Sequence, residues 1–246
     1  MNHSIRSLAA CSVLAGGLLC AWQGKAQEEA DSTGILQTTP QSIADLQRLE
    51  ARLQAMLPKV LPALVCIELS DSSGTGVIVD DHGTIFTAAH VIDKKGTDLK
   101  IILTDGTRLK AKTTMSSTLE EKGTDAGIAE LTPKPEQPVP FVTRTTTLPK
   151  VGDWVFSLGH GGGLDEKRGA MVRLGRVVSI KNGTIQTDCK LIRGDSGGPL
   201  FNMNGELIGI HSRVGSGLED NLHVPMKDFE PQAAEQKKAE PAAANN

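Results

Sequence analysis

Pro199-Leu200-Phe201-Asn202-Met203-Asn204-Gly205-Glu206-Leu207-Ile208-Gly209-Ile210-His211 sets two short apolar runs on either side of an Asn-Gly pair. Asn-Gly between apolar runs is a strong hairpin signal, because both residues tolerate the positive φ of a tight two-residue turn. The same texture extends outward in both directions. Short apolar runs at 64–69, 76–79, 84–87, 99–103, 128–131, 154–158, 175–180 and 184–187 are separated by turn signals such as Asp80-Asp81-His82-Gly83, Asp105-Gly106 and Asn182-Gly183. No helical periodicity of useful length interrupts them between about 60 and 227. The pattern predicts an all-β barrel or sandwich rather than an α/β sheet.

Composition agrees. The chain has 246 residues, enough for a sizeable core, with 39% hydrophobic and 22% charged residues. Aromatics are 3% and Tyr is absent, so Val, Ile, Leu and Ala must build that core. The 26 Gly and 12 Pro suit many tight turns. A net charge of −3 gives no electrostatic case for a nucleic-acid partner.

The pattern divides the chain into four segments. Residues 1–26 read as a secretory signal: Arg6, an apolar stretch over 8–21, and small residues flanking Lys25 in Gly24-Lys25-Ala26. Its removal predicts an exported chain, periplasmic or extracellular, with no membrane span left. Residues 27–58 hold a polar linker and one amphipathic helix. Ser42 and Asp45 have capping-box spacing, Ile43, Leu46, Leu49, Leu53, Met56 and Leu57 share a face, and Pro58 is expected to stop the run. That face is expected to lie on the domain surface, with oligomerisation or occlusion of the site as the functional alternative; the oligomeric state is not readable. Residues 59–230 form the β domain, with the Pro-rich stretch 132–149 connecting two β subdomains. Residues 231–246 have almost nothing to bury and are expected to be disordered.

Chemistry centres on Gly194-Asp195-Ser196-Gly197-Gly198-Pro199. A serine hydroxyl needs a base to become nucleophilic and N–H donors to hold the oxyanion it creates. Glycines here permit a turn that aims the Gly194 and Ser196 N–H groups at one point. The base should be a histidine, and chemistry alone leaves His82, His90, His160, His211 and His223 open. The third member is an acid that orients the imidazole. Asp125, in Thr124-Asp125-Ala126-Gly127-Ile128-Ala129, stands at the mouth of a strand, whereas Asp93, Asp98 and Asp105 look like turn acids.

Thr87-Ala88-Ala89-His90, Asp125-Ala126-Gly127-Ile128-Ala129 and Gly194-Asp195-Ser196-Gly197-Gly198-Pro199-Leu200 resemble the three signature segments of trypsin-like serine proteases, in that family's chain order. Gly74-Thr75-Gly76-Val77-Ile78-Val79, Val155-Phe156-Ser157-Leu158-Gly159 and Gly205-Glu206-Leu207-Ile208-Gly209-Ile210 are similar to the bacterial HtrA/Deg branch. The resemblance implies two six-stranded antiparallel β-barrels with a triad in the cleft between them. It implies His90 as general base, Asp125 as its orienter, Ser196 as nucleophile and the Gly194 and Ser196 N–H groups as oxyanion hole. Polypeptides would be the substrates, with no metal or organic cofactor. The alternative is a catalytically silent or latent trypsin-like binding module.

Three features depart from the pattern. The HtrA branch usually carries PDZ domains after the protease, and none is expected in the residues after Lys227. Asp195 stands where that branch typically has Asn; it is expected either to be solvated or to pair with Arg193 or Lys190, the nearest cations in sequence. Lys190 also occupies the position, six before the nucleophile, where trypsins cutting after Lys or Arg have an acid. Lys190, Ile192, Ile210, Ser212 and His223 are the expected pocket residues, which suggests a small or medium apolar side chain at the cleavage site, or an acidic one if Lys190 points inward. The glycine-rich run 159–169 reads as a mobile surface loop beside the cleft. Cys66 and Cys189 are expected as buried free thiols, a bond between them being the alternative that export permits.

Overall fold

A computed structural model describes residues 39–118, 124–215, 217 and 220–229. The signal expected over 1–26, most of the linker and the tail 231–246 lie outside the described residues.

Helix α1, Ile43–Val60, opens with the anticipated capping box: the Ser42 hydroxyl accepts from Asp45 N–H, and the Asp45 carboxylate accepts from Ser42 N–H. It runs past Pro58 to Val60, because a proline near the end of a helix forfeits one hydrogen bond without blocking the remaining residues of the last turn. Its apolar face divides. Leu49, Met56 and Val60 are buried, whereas Ile43 and Leu46 are exposed. Arg52 Nε donates to Met203 O at 2.8 Å, tying the helix to the 202–206 turn.

Strands β1 (Leu64–Glu68), β2 (Ser73–Ile78), β3 (Thr84–Thr87), β4 (Asp98–Leu103), β5 (Arg108–Ser117) and β6 (Ala126–Leu131) close one antiparallel barrel in the order β1-β2-β3-β6-β5-β4. Strands β7 (Trp154–Gly159), β8 (Met171–Lys181), β9 (Thr184–Thr187), β10 (Pro199–Asn202), β11 (Leu207–Val214) and β12 (Asn221–Pro225) close a second, β10-β11-β12-β9-β8-β7. Closure leaves neither sheet with an unpaired edge. The hairpin around Asn204-Gly205 forms as expected, with Leu200 opposite Gly209 and Pro199 opposite Ile210. β5 and β12 were not among the expected runs.

The Pro-rich stretch connects the barrels. It is fastened to both: Val142 N–H donates to Ile78 O at 3.1 Å, Leu207 N–H to Thr143 O at 2.9 Å, and Arg144 lies over the Phe86 ring at 5.6 Å. Phe229, beyond β12, stacks on Phe86 with ring centroids 4.6 Å apart. Cys66 and Cys189 are both buried free thiols, one in each barrel.

Candidate active site

His90 belongs to a four-residue helix, α2 (Ala89–Ile92), that starts directly after β3. Ala88 and Ala89 are fully buried, so the backbone sits tight against the barrel while the imidazole reaches outward, its side chain 48% exposed. Asp125 precedes β6 and is 3% exposed. Its Oδ2 lies 2.8 Å from His90 Nδ1, and its Oδ1 accepts from His90 N–H at 3.1 Å. One carboxylate therefore fixes both the ring and the backbone of His90. Ser212, on β11 of the other barrel, donates its hydroxyl to Asp125 Oδ2 at 2.7 Å. Burial alone would push the Asp125 carboxyl up. Hydrogen bonds from His90 and Ser212, with the charge of His90, override it and hold the group below its ordinary value.

Ser196 is half-buried in the turn before β10. Thr75 of β2 reaches across to this turn. Its N–H donates to Ser196 O at 2.8 Å and its hydroxyl donates to Gly194 O at 2.8 Å. Thr75 O in turn accepts from the Thr87 hydroxyl at 2.7 Å, linking the serine turn to the strand that ends at His90. Gly197, at φ 83°, could carry no side chain: a Cβ there would run into Thr87 Oγ1 and Thr75 O. Ser196 Oγ makes no hydrogen bond to His90 among the described residues; such bonds are often long before substrate arrives and tighten in the complex.

Residues Ile192 to Asp195 form a type II turn. Asp195 N–H donates to Ile192 O at 3.1 Å, and Gly194 takes the positive φ of 99° that this turn requires. Arg193 C=O accepts from Gly162 N–H at 2.8 Å. The carbonyl and N–H of one planar trans peptide point in opposite directions, so the Gly194 N–H is aimed away from the 159–163 segment. Neither the Gly194 nor the Ser196 N–H is taken by a protein acceptor among the described residues. The turn thus carries two N–H donors, two residues apart, with no protein acceptor among the described residues; free donors of this kind are what an oxyanion would need.

Asp195 is fully buried and its partner corrects the expectation. Lys190 and Arg193 are both exposed. Arg173 of β8 pairs with it instead, Nη2 to Oδ2 at 2.8 Å and Nη1 to Oδ1 at 3.1 Å. Proximity in sequence misled here because β8 runs beside β7, whose end abuts the serine turn. Burial pushes the Asp195 carboxyl above its usual value, and the Ile192 N–H and Arg173 pull it back.

The run 159–169 also differs from a plain surface loop. Gly159, His160 and Gly161 are buried beneath the serine turn. His160 N–H donates to Thr75 Oγ1 at 3.0 Å, and burial takes its imidazole down to about 4. Of the expected pocket residues, Lys190 is exposed and Ile192 is 41% exposed, whereas Ile210 and His223 are fully enclosed in the second barrel. Ser212 is spent on Asp125. His223 lies between Thr187 Oγ1 at 2.8 Å and His211 Nδ1 at 2.9 Å. His82 is exposed beside Asp81. Thr75 and Arg173 were missed as site residues; neither carries a local signal beyond the Gly74-Thr75-Gly76 string.

The family model described as the trypsin-like peptidase domain matches residues 74–210. The chain belongs to that family. Among its relatives, a probable periplasmic serine endoprotease, DegP-like, of Pseudomonas savastanoi pv. phaseolicola is 38% identical over 152 residues, covering 59% of this chain and 30% of that protein. Serine protease HTRA4 of Mus musculus is 31% identical over 193 residues, covering 70% and 39%. Serine protease HTRA2, mitochondrial, of Drosophila willistoni is 32% identical over 182 residues, covering 69% and 40%. The chain thus spans well under half the length of these relatives. No helix among the described residues is long and apolar enough to cross a membrane.

Proposed function

We propose that this chain is an exported serine endopeptidase. Ser196 Oγ attacks the scissile carbonyl and His90 Nε2 accepts its proton. Asp125 holds the imidazole by its Nδ1–H and stabilises the imidazolium. The Gly194 and Ser196 N–H groups receive the oxyanion of the tetrahedral intermediate. His90 then protonates the leaving amine, and water, deprotonated by His90, releases the acyl group from Ser196. The observation that carries this reading is the His90–Asp125 contact of 2.8 Å with Ser212 bonded behind it, beside two free N–H groups. Export is supported by the pattern of residues 1–26 and by a relative described as periplasmic.

Polypeptides are the substrates of this reading, with a small or medium apolar side chain at the cleavage site. Two features support that preference. Lys190 is exposed to solvent rather than enclosed, and His223 and His211 behind the site are held neutral by burial, His223 down to about 3. A peptide-library profile dominated by cleavage after charged residues would overturn the preference and leave the peptidase intact.

The test of the peptidase is covalent labelling. A fluorophosphonate probe should label the native chain, and Ser196→Ala should abolish labelling while leaving the melting temperature unchanged. A folded native chain that resists the probe would overturn the enzyme in favour of a binding module.

A further inference from the structure

The buried charge next to the nucleophile has a defined seat. The Asp195 side chain is 0% exposed and the Arg173 side chain 12%. Two guanidinium nitrogens meet two carboxylate oxygens, the fork geometry that makes an Arg–carboxylate pair both strong and directional. Asp195 Oδ2 also accepts from Ile192 N–H at 2.8 Å, so the carboxylate closes the Ile192–Asp195 turn from the side opposite its backbone bond. A Cβ on Gly159 or Gly161 would run into the Asp195 carboxylate; the glycines of this segment make the space in which the pair forms. The next residue, Gly162, holds the Arg193 carbonyl. Arg173 itself is fixed by the β7–β8 ladder, where it stands opposite Ser157.

We propose that Arg173 is a positioning residue: its fork on Asp195 clamps the Ile192–Asp195 turn in the form that keeps the Gly194 and Ser196 N–H groups free, so the oxyanion hole is formed from within the domain before substrate arrives. This rests on the peptidase reading above. Without Arg173 the carboxylate would be buried and unpaired, a state proteins avoid by rearranging. The available rearrangement swings Asp195 toward solvent, releases the Ile192 N–H, and frees the Arg193–Gly194 peptide to rotate its carbonyl into the position meant for the oxyanion. Chemistry would suffer more than substrate binding, because the hole acts on charge that develops only in the transition state.

Three variants test it: Arg173→Met, Arg173→Lys and the neutral double Arg173→Met/Asp195→Asn. Each is assayed by the rate of fluorophosphonate labelling at Ser196, by kcat and KM on a peptide ester, and by melting temperature. Arg173→Met should label roughly 100-fold more slowly, the scale of losing an oxyanion donor, with kcat falling and KM within about threefold. The double should label about tenfold faster than Arg173→Met, because an amide at 195 needs no cation and still accepts from Ile192 N–H. Folded Arg173→Met labelling within about threefold of native, or a double no faster than the single, overturns the proposal. If Arg173→Met does not fold, Arg173→Lys decides: about tenfold slower labelling at an unchanged melting temperature is expected, since a point charge cannot reproduce the fork, and native-rate labelling overturns it. A native chain that is itself unlabelled removes the peptidase reading and this one together, whereas a labelled native chain with an equally labelled Arg173→Met removes this one alone.

Discussion

In the first barrel, His90 and Asp125 stand on an apolar scaffold: Ile78, Ile85, Phe86, Ile92, Ile101 and Ile128 are fully buried behind them. The second barrel places Ser196 by other means. Its interior holds the Arg173–Asp195 pair, the His211–His223–Thr187 chain, and Asn221, whose side chain takes Leu191 N–H and donates to Thr187 O. Packing tolerates hydrophobic exchange of similar volume, whereas a buried polar network is only as good as its least satisfied member. The first barrel thus carries its half of the site mainly on apolar packing, whereas the second adds to its own apolar core a directed arrangement of buried polar groups. The two meet at Asp125, which receives His90 from one side and Ser212 from the other.

That meeting point carries the largest expected effect. Asp125→Asn keeps the shape but presents an amide where His90 Nδ1–H needs an acceptor with charge, and kcat should fall by about 10⁴ at neutral pH, the scale known for this substitution in a Ser-His-Asp triad. Ser212→Ala removes one hydrogen bond to the same oxygen from the second barrel and should cost about tenfold. Equal losses from the two would mean that the second barrel supports His90 as strongly as Asp125 does, and the division of labour would be wrong.

Acid should separate the barrels next. Burial lowers His160 to about 4, His223 to about 3 and His211 well below its ordinary value. In the unfolded chain each takes a proton near pH 6.5. Between that pH and the folded values the unfolded state binds more protons, so stability is complete above about 6.5 and is lost as pH falls. Asp195, raised by burial, acts in the opposite sense and offsets part of the loss. Stability should therefore decline on balance between pH 6.5 and 4.5, read by denaturant unfolding at each pH. The double variant His211→Asn/His223→Gln should flatten the slope. An unchanged slope would clear these imidazoles and remove the contrast in acid sensitivity.

The same contrast governs which elements are legible in the sequence. The hairpin at Asn204-Gly205 and strand β3 were legible because apolar runs alternate with turn residues there. Strand β5 was not: Arg108, Lys110 and Lys112 face solvent and the buried members Ala111, Thr113 and Ser117 are small or polar, so no apolar run marks it. β12 hides for the same reason, its buried Asn221 and His223 being polar. His90, Asp125 and Ser196 each lie in an ordered signature segment. Arg173 lies in none, since its contact with Asp195 depends on β8 lying beside β7, and a pairing between residues 22 apart leaves no local trace. Thr75 was similarly hidden: its contacts to Gly194 and Ser196 cross between barrels.

The smallest expected effect concerns the two thiols, one on each side of the contrast. Cys189, in the second barrel, is pushed up to about 12 by burial, and Cys66, in the first, is raised by the same cause. Only the thiolate is nucleophilic, so neither should react with iodoacetamide at pH 8 while the chain is folded, and both should react in guanidinium. Cys66 lines a cavity of about 430 Å³ that also touches Arg193 and Gly194, whereas Cys189 lies behind the Asn221–Thr187 hydrogen bonds. Slow labelling through local opening should therefore reach Cys66 first at neutral pH. After exposure to pH 4.5 and a quench to pH 8 with reagent present, Cys189 should gain more than Cys66, because the charged imidazoles loosen its barrel. Mass spectrometry of the two cysteine peptides reads the ratio, and a ratio that does not move with pH would show that the barrels open as one unit.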